Sequence, residues 1–501
     1  MQPSRRETII GIAATASAAA TGAAAKAKTS VLDGRDSMDL AALVKSKQVS
    51  ATELLDAAIA RTEALNPRFN FMAQNHYDFA RKAIKEGLPD GPFTGVPWLL
   101  KDLSTYLAGE LTEGGSRFYN GARATVTSEL VKRYQRAGFV IFGKTTSPEF
   151  GLTPTTENKL TGDTRNPWNP KRTTGGSSGG AAAAVAAGVL PAAHATDGGG
   201  SIRIPAACCG LFGMKPSRGR IPMGPLRTEG WGGLSAHHAL SWSVRDNAAI
   251  MDATHGIEPG SRYGAPTPNG SFLSQVGKDP GKLRIALVTA SPYGGPVDPE
   301  VVSAARNAAK LCETLGHHVE EAAPKYDAPQ YGAAAFVMMA ASIAADIDDR
   351  AKATGIKPGP DVLEEITLTV LEYGRKISGA DYARANNTLQ TLAVIISRFM
   401  ADYDVVLAPT LAAPPVELGK IGLSTGADYQ TWGQRAGGFS PFTPLANYTG
   451  QPSMSVPLGM SKKGLPIGVM FTGRYGDEAT LYRLAGQLEQ AAPWRGRRPR
   501  L

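Results

Sequence analysis

The chain has few of the residues that build metal sites and disulfide frameworks. Its 501 residues include three cysteines and seven histidines. Cys208 and Cys209 are adjacent, Cys312 lies far away, and no Cys-x-x-Cys or Cys/His spacing typical of a metal site occurs. We therefore expect three free, mostly buried thiols and no metal site.

Charge is also sparse, and strongly apolar runs are missing at the N-terminus. Charged residues make up 19% of the chain, and the net charge of +9 is spread out, with part of it in the final segment WRGRRPRL. No basic stripe alternates with aromatic residues, so the sequence does not predict a nucleic-acid surface. The mildly apolar run at residues 8–20 is too weak and too short to predict stable membrane insertion.

The first 27 residues differ in composition from the rest. Arg5 and Arg6 precede an alanine-rich stretch that ends in possible Ala-x-Ala cleavage sites at residues 23–25 and 25–27. Paired arginines before a mild apolar core are typical of a twin-arginine export signal. We therefore expect residues 1–27 to direct export, to the periplasm. The alternative is an alanine-rich N-terminus with no targeting role.

From residue 38 onward, helical and strand patterns alternate. Hydrophobic residues make up 42% of the chain, which is enough for a large core. Apolar segments such as GVPWLL, GKLRIALVTA, QPSMSVPLG and LPIGVMFTG predict strands, IRIP after Ser201 is strand-like, and amphipathic stretches between them predict helices. This alternation predicts an α/β fold with a sheet covered by helices on both faces. We expect one domain over residues 28–501, with a mostly helical insertion around 300–400.

A glycine-rich segment, RTTGGSSGGAAAAVAAG, surrounds Ser177 with the Gly-x-Ser-x-Gly pattern of a nucleophile elbow. That elbow requires a buried strand before it, whereas the preceding NPWNPKRTT is polar and broken by proline and therefore predicts a loop. His237 and His238, in a predicted glycine-rich loop, have no evident acid partner. A Ser-His-Asp hydrolase with Ser177 as nucleophile is thus an alternative hypothesis. No Gly-Lys-Ser/Thr follows the glycines, so neither a nucleotide loop nor a cofactor is predicted.

Two further phrases belong with that segment. GVPWLLKD contains Lys101, and DGGGSIRIPA places Ser201 after three glycines. Together with GFVIFGKTTSPEFG and CGLFGMKPSRGRIPMGP, these phrases resemble the amidase signature family from about residue 38 to the C-terminus. Within it, the chain is most similar to nylon-oligomer (6-aminohexanoate cyclic dimer) hydrolases, aryl acylamidases and urethane-cleaving amidases. The resemblance implies a large mixed sheet wrapped by helices.

The resemblance also implies a catalytic set. Ser201 corresponds to the nucleophile, and Ser177, which follows a cis peptide bond after Gly176, bridges it to Lys101. The chemistry suits these residue types, because a buried lysine has a lowered pKa and can act as a base, and a hydroxyl can both donate and accept a proton. Backbone N–H groups of the glycine run would stabilise an oxyanion, since no Cβ obstructs them. This run consists of Gly198, Gly199 and Gly200.

Residues around this set are expected to support it. By resemblance, Ser178, Asp197 and Arg203 order the loop. Gly151, Leu152 and Thr153 match residues that line the pocket for the scissile bond.

The acyl and amine pockets are expected to draw on residues 331–346 and 425–450. There Phe336, Met338 and Met339 are either an apolar lid or helix core. No arginine cluster suggests recognition of a carboxylate, so we expect small neutral or apolar amides as substrates. The hypothesis is an amidohydrolase that cleaves linear or cyclic amides, anilides, carbamates or esters; the alternative is a periplasmic binding protein of the same fold without turnover.

Overall fold

The computed structural model describes residues 30–501, and residues 31–501 form one compact unit. The expected export signal at residues 1–27 lies outside the described residues and stays a prediction. The strands, in chain order, are β1 Met72–Asn75, β2 Pro97–Lys101, β3 Val140–Thr145, β4 Arg165–Asn166, β5 Asn169–Thr173, β6 Ala192–Asp197, β7 Phe212–Lys215, β8 Ala236–Ser241, β9 Arg284–Leu287, β10 His318–Glu321, β11 Val405–Pro409, β12 Ser453–Met460 and β13 Pro466–Gly473.

The helices surround these strands. Short 3-10 turns lie at Arg117–Tyr119, Glu149–Gly151 and Leu273–Gln275. The α-helices are α1 Ser37–Lys45, α2 Ala51–Phe69, α3 Tyr77–Glu86, α4 Glu129–Arg136, α5 Gly179–Ala186, α6 Arg203–Cys209, α7 Val244–Thr254, α8 Pro299–Thr314, α9 Ala328–Thr354, α10 Glu365–Gly374, α11 Gly379–Phe399, α12 Tyr429–Phe439, α13 Pro444–Thr449 and α14 Glu478–Ala491.

The central sheet has eight strands in the order β10-β9-β11-β13-β12-β7-β8-β6. The pairs β10/β9 and β9/β11 are parallel, and the remaining pairs are antiparallel, so the sheet is mixed. Helices pack on both faces at glycines that leave no room for a Cβ. Gly468 faces Ala207 of α6, and Gly459 faces Ala304 of α8. The prediction of an α/β fold with a large mixed sheet covered by helices is confirmed.

A smaller sheet, in the order β1-β3-β2, positions the lysine. Strand β2 pairs in parallel with β3 and ends at Lys101, and all five of its residues are buried. The helix before β1, α2, begins with a reciprocal capping box between Ser50 and Glu53. Strand β2 and the β6 edge of the large sheet meet where the Lys101 N–H donates to His194 Nδ1 at 3.1 Å.

Three local predictions are wrong. IRIP begins helix α6 rather than a strand, because Pro205 lies in the first turn, where its missing N–H costs no hydrogen bond. Residues 169–173 form β5, since a two-stranded ribbon at the surface tolerates Pro170. His237 and His238 lie in β8, because pairing with β6 extends the strand to the end of the glycine-rich loop.

Helices α10 and α11 both pack on α9 in the region predicted to be mostly helical. Within residues 30–501, α9 alone is long and apolar enough to cross a membrane. Its residues Ala340 and Ile343 are buried in the main hydrophobic core, and Met338 is buried in a second cluster with α11. These contacts are those of a core helix.

Candidate active site

The Lys101 side chain is fully buried and surrounded by hydroxyl groups. Its Nζ lies 2.7 Å from Ser177 Oγ, 3.0 Å from Ser178 Oγ and 2.8 Å from Thr196 Oγ1. Burial lowers the pKa of the Lys101 amine well below its ordinary 10.5, while the negative charge of Asp197 acts in the opposite direction. Among the described residues, no carboxylate forms an ion pair with it. This environment therefore favours an uncharged amine.

One hydrogen bond of Lys101 has a fixed direction. The Ser178 hydroxyl donates to the Thr196 carbonyl at 3.1 Å, so it can only accept from Lys101. A neutral amine has two N–H donors and one lone pair. One N–H serves Ser178, which leaves the second N–H and the lone pair for Ser177 and Thr196. The Ser177 hydroxyl can therefore donate to Lys101, as a proton relay requires.

Ser177 is held rigidly between glycines. The Gly176–Ser177 peptide bond is cis. A Cβ at Gly176 would lie 2.3 Å from the Thr155 carbonyl oxygen, so the backbone passes too close for any larger residue. The next helix, α5, begins at Gly179, and Ser177 itself is 2% exposed. Its hydroxyl is thereby fixed next to Lys101.

Ser201 lies in the turn between β6 and α6, with its side chain at two cavities. Within residues 30–501, no hydrogen bond joins its hydroxyl to Ser177 or to another group. Ser177 borders the smaller of the two cavities, so both serines line that cavity. In this state the link from Lys101 to Ser177 is formed, and the link from Ser177 to Ser201 is open. Catalytic hydrogen bonds often tighten only when substrate binds.

A buried ion pair shapes the turn that carries Ser201. Both Asp197 oxygens bind the Arg203 guanidinium, at 3.0 and 2.9 Å, and also accept from the N–H groups of Gly200 and Ile202. Asn447 donates to the same carboxylate at 2.9 Å. Burial alone would raise the pKa of Asp197, but the charge and hydrogen bonds of Arg203 outweigh it and lower the pKa to about 2.

The three glycines before Ser201 differ in their surroundings. The N–H of Gly200 donates to Asp197 at 2.7 Å, and a Cβ at this residue, where φ is +136°, would lie 2.3 Å from Thr443 Oγ1. Gly200 is therefore used to form the turn. Gly198 and Gly199 instead border the larger cavity, and among the described residues no group accepts a hydrogen bond from their N–H groups.

The larger cavity has a volume of about 660 Å³. Gly151, Leu152 and Thr153 line it, as do Trp432 and Gln434 from the region predicted at 425–450. Phe336 and Met339 also face it, whereas Met338 is buried in the core against α11. Of the three residues predicted to be either lid or helix core, two therefore face the cavity and one lies in the core. None of the described side chains that line this cavity is charged.

The smaller cavity, of about 130 Å³, lies on the Ser177 side of Ser201. Thr196, Ser235 and His237 contribute polar groups to it, and an Arg227–Asp346 ion pair borders it. Trp231 lines both cavities and approaches Gly198 so closely that a Cβ there would lie 2.7 Å from its ring. The site thus has a large neutral side and a small polar side.

No histidine takes the place that a Ser-His-Asp triad requires. Across the described part of the chain, Ser177 forms its side-chain hydrogen bond with Lys101, and His238 bonds Asn247 at 2.8 Å on the opposite face of β8. Burial lowers the pKa of His237 to about 3. Cys208, Cys209 and Cys312 are free and buried, as expected.

Sequence reasoning missed Thr196 and the pair His194 and His237. The sequence feature that could have revealed Thr196 and His194 is their spacing of two in AAHATD, because alternate residues of a strand lie on one face of β6. That face is the one that meets Lys101. His237 is their neighbour only through the pairing of β8 with β6.

Comparison with known proteins agrees with this fold and site. The amidase family model matches residues 53–482. Over 484 residues, the chain is 38% identical to a 6-aminohexanoate-cyclic-dimer hydrolase of Paenarthrobacter ureafaciens, covering 93% of this chain and 97% of that protein. A structure of 6-aminohexanoate cyclic dimer hydrolase complexed with substrate has a TM-score of 0.89 at 37% identity, covering 93% and 99% of the two chains. A bacterial aryl acylamidase has a TM-score of 0.82 at 30% identity, covering 92% and 96%.

The fold and these matches define a hydrolase of carbon–nitrogen bonds. The chain belongs to the amidase signature family, as its motifs indicate.

Proposed function

We propose that the chain cleaves non-peptide amides through an acyl-enzyme on Ser201. The observation that carries this proposal is the buried Lys101 amine, which contacts three hydroxyls and, within the described residues, no carboxylate. A lysine kept neutral by burial is a general base, and a serine becomes a nucleophile when a base accepts its proton. Lys101 and Ser177 together provide that base.

In the acylation step, Ser201 Oγ attacks the amide carbon and gives its proton to Ser177, while Ser177 passes its own proton to Lys101. The carbonyl oxygen becomes an oxyanion, for which the free N–H groups of Gly198 and Gly199 are available donors. One such donor contributes about 3–4 kcal/mol to the transition state. Lys101 then returns the proton through Ser177 to the nitrogen, and the C–N bond breaks.

The two cavities suggest which amides fit. The large cavity has no charge among its described lining residues and presents the rings of Trp432 and Phe336, which suits a neutral, apolar acyl group. Linear amides, cyclic amides and anilides of this kind are therefore the proposed substrates, with carbamates and esters as further candidates. The names of the cyclic-dimer hydrolase and aryl acylamidase relatives support the cyclic and aryl classes.

A covalent probe tests the proposal. We expect a fluorophosphonate to label the wild-type protein once, with peptide mass analysis locating the label on Ser201, and the Ser201→Ala variant to remain unlabelled. A label on Ser177 would instead support a hydrolase that uses this serine as its nucleophile. A folded wild-type protein that neither reacts nor turns over an amide panel would support the binding-protein alternative.

Phe336 is expected to select for the acyl group. Its ring lies 5.1 Å from the Tyr373 ring and 5.4 Å from the Tyr429 ring, at the wall of the large cavity. Phe336→Ala should lower kcat/KM about tenfold for anilides with a phenyl or hexanoyl acyl group. Full burial of an apolar side chain of this size contributes roughly 1.5–3 kcal/mol of free energy, and the variant loses part of it. Acetanilides should change little.

Val337→Ala is the matched control for Phe336→Ala, since Val337 lies on the same helix but packs on the second cluster of α9 and α11. Equal losses on long and short acyl groups in Phe336→Ala would contradict an acyl-binding role for this residue.

A further inference from the structure

A series of hydrogen bonds leads from the backbone of Lys101 to the small cavity. The Lys101 N–H donates to His194 Nδ1 at 3.1 Å, and His194 Nε2 lies 3.2 Å from His237 Nδ1. His237 is 3% exposed and lines the small cavity together with Ser177 and Ser201. Within the described residues, its Nε2 has no hydrogen-bond partner. The ring is thus buried and held at Nδ1 by His194, while its Nε2 is left without a partner beside the site.

The direction of each hydrogen bond follows from its first donor. A backbone N–H can only donate, so His194 Nδ1 carries the lone pair and a neutral His194 carries its hydrogen on Nε2. That hydrogen points at His237 Nδ1, which leaves the hydrogen of a neutral His237 on Nε2. Burial lowers the pKa of His194 well below 6.5, and the pKa of His237 is about 3, so both rings are neutral near pH 7.

Strand pairing brings this donor next to the proton relay. His237 is directly opposite Thr196 in the β6–β8 ladder, so both side chains lie on the same face with their Cβ atoms about 4.5–5.5 Å apart. Thr196 Oγ1 in turn lies 2.8 Å from Lys101 Nζ. The His237 N–H is therefore close to the groups that accept the protons of the reaction.

The small cavity is also where water can enter the reaction. Of the two cavities, Ser177 lines only this one, so a group that exchanges a proton with Ser177 is expected to approach from this side. The leaving nitrogen does so during acylation, and water does so after the amine has left. A volume of about 130 Å³ is enough for several waters, since roughly 10–15 Å³ admits one.

We propose that His237 binds the water that hydrolyses the acyl-enzyme, with its Nε2–H donating to the water oxygen in the small cavity. This inference rests on the proposed acyl-enzyme at Ser201. The water oxygen forms a bond to the acyl carbon and gives one proton to Ser177, whose own proton passes to Lys101. The bond between the acyl carbon and Ser201 Oγ then breaks, and Lys101 returns its proton through Ser177 to Ser201. The products are the carboxylic acid and the free enzyme.

Two variants separate the two hydrogen bonds of His237: the one that its Nε2–H donates into the cavity and the one that its Nδ1 accepts from His194. His237→Asn keeps an acceptor near the Nδ1 position for His194 but cannot reach the cavity, whereas His237→Gln keeps an N–H donor near the Nε2 position. His238→Gln is the matched control, because His238 is adjacent in β8 and bonds Asn247 and Tyr482 away from the cavity.

Stopped-flow measurements with a p-nitrophenyl ester of a short acyl group distinguish the two half-reactions. For His237→Asn, we expect deacylation to slow 10- to 100-fold while the acylation burst changes less than threefold, and intact mass analysis should show acyl-enzyme accumulating. His237→Gln should recover most of the deacylation rate, and His238→Gln should show no selective slowing.

Equal slowing of both steps in His237→Asn, or no change in either, would overturn the assignment of His237. If the wild-type protein forms no acyl-enzyme and Ser201→Ala still turns over substrate, the proposed function itself fails, which is a different result. Melting temperatures and burst amplitudes of the three variants show whether a loss reflects unfolding, which would lower the amplitude without changing the ratio of the two rate constants and so count against the assignment.

Discussion

A Lys101→Met variant is expected to lose at least about a thousandfold of kcat/KM on amide substrates. Methionine is unbranched and apolar and fits the fully buried space behind β2, so the main change is the loss of the amine. Without it, Ser177 has no base to receive its proton and no acid to return one. A thousandfold loss corresponds to about 4 kcal/mol of transition-state stabilisation.

The size of this loss should depend on the leaving group. An amine leaves poorly unless it is protonated, whereas p-nitrophenolate leaves without a proton. Lys101→Met should therefore lose more on a p-nitroanilide than on the p-nitrophenyl ester of the same acid. Residues that act as a unit give non-additive losses. The double variant Lys101→Met/Ser201→Ala should accordingly be little worse than Ser201→Ala alone.

The pH profile gives an independent readout. Because the base must be uncharged, wild-type kcat/KM should fall as the pH drops through the lowered pKa of Lys101, and this acid limb should be absent in Lys101→Met. Lys85→Met, at an exposed position on α3, is the control and should match the wild type. Amide turnover of Lys101→Met within tenfold of wild type would contradict the role of Lys101 as the base.

The residues of this site that the sequence predicts are those that lie in short contiguous motifs. Lys101 ends an apolar strand, Ser177 lies between glycine pairs, and Ser201 follows the glycine run, so each can be found by reading along the chain. The structure brings Lys101 and Ser177 into contact, and Ser201 lines the same small cavity as Ser177. The fold class follows in the same way, because alternating helical and strand patterns are local signals.

Residues that join the site through tertiary pairing could not be found in this way. His237 reaches the site through the register of β8 against β6, and Asn447 reaches Asp197 from a helix 250 positions along the chain. The division between Met338 and Met339 depends on about 100° of helical rotation, which the sequence does not fix without the packing of α11. Short sequence motifs therefore identify the reacting residues, whereas strand register and helix packing determine which other residues surround them.

The second large effect is expected for Asp197→Asn, which should reduce the free energy of unfolding by about 3–5 kcal/mol. The substitution preserves shape but leaves the Arg203 guanidinium, fully buried, without its counter-charge. Removing one partner of a buried ion pair typically has a cost of this size, because the remaining charge is desolvated and unpaired. Urea denaturation at pH 7 measures the change. Asp56→Asn, in an exposed pair with Arg81, should cost less than about 1 kcal/mol.

The same ion pair predicts how stability depends on pH. The pKa of Asp197 is lowered from 3.8 to about 2 in the folded protein, so the folded state holds this carboxylate ionised more strongly than the unfolded chain does. Its contribution is therefore complete above about pH 4 and declines as the pH falls towards 2. The stability difference between wild type and Asp197→Asn should shrink over that interval. A difference that is constant from pH 5 to pH 2 would show that the charge on Asp197 does not hold the Ser201 turn in place.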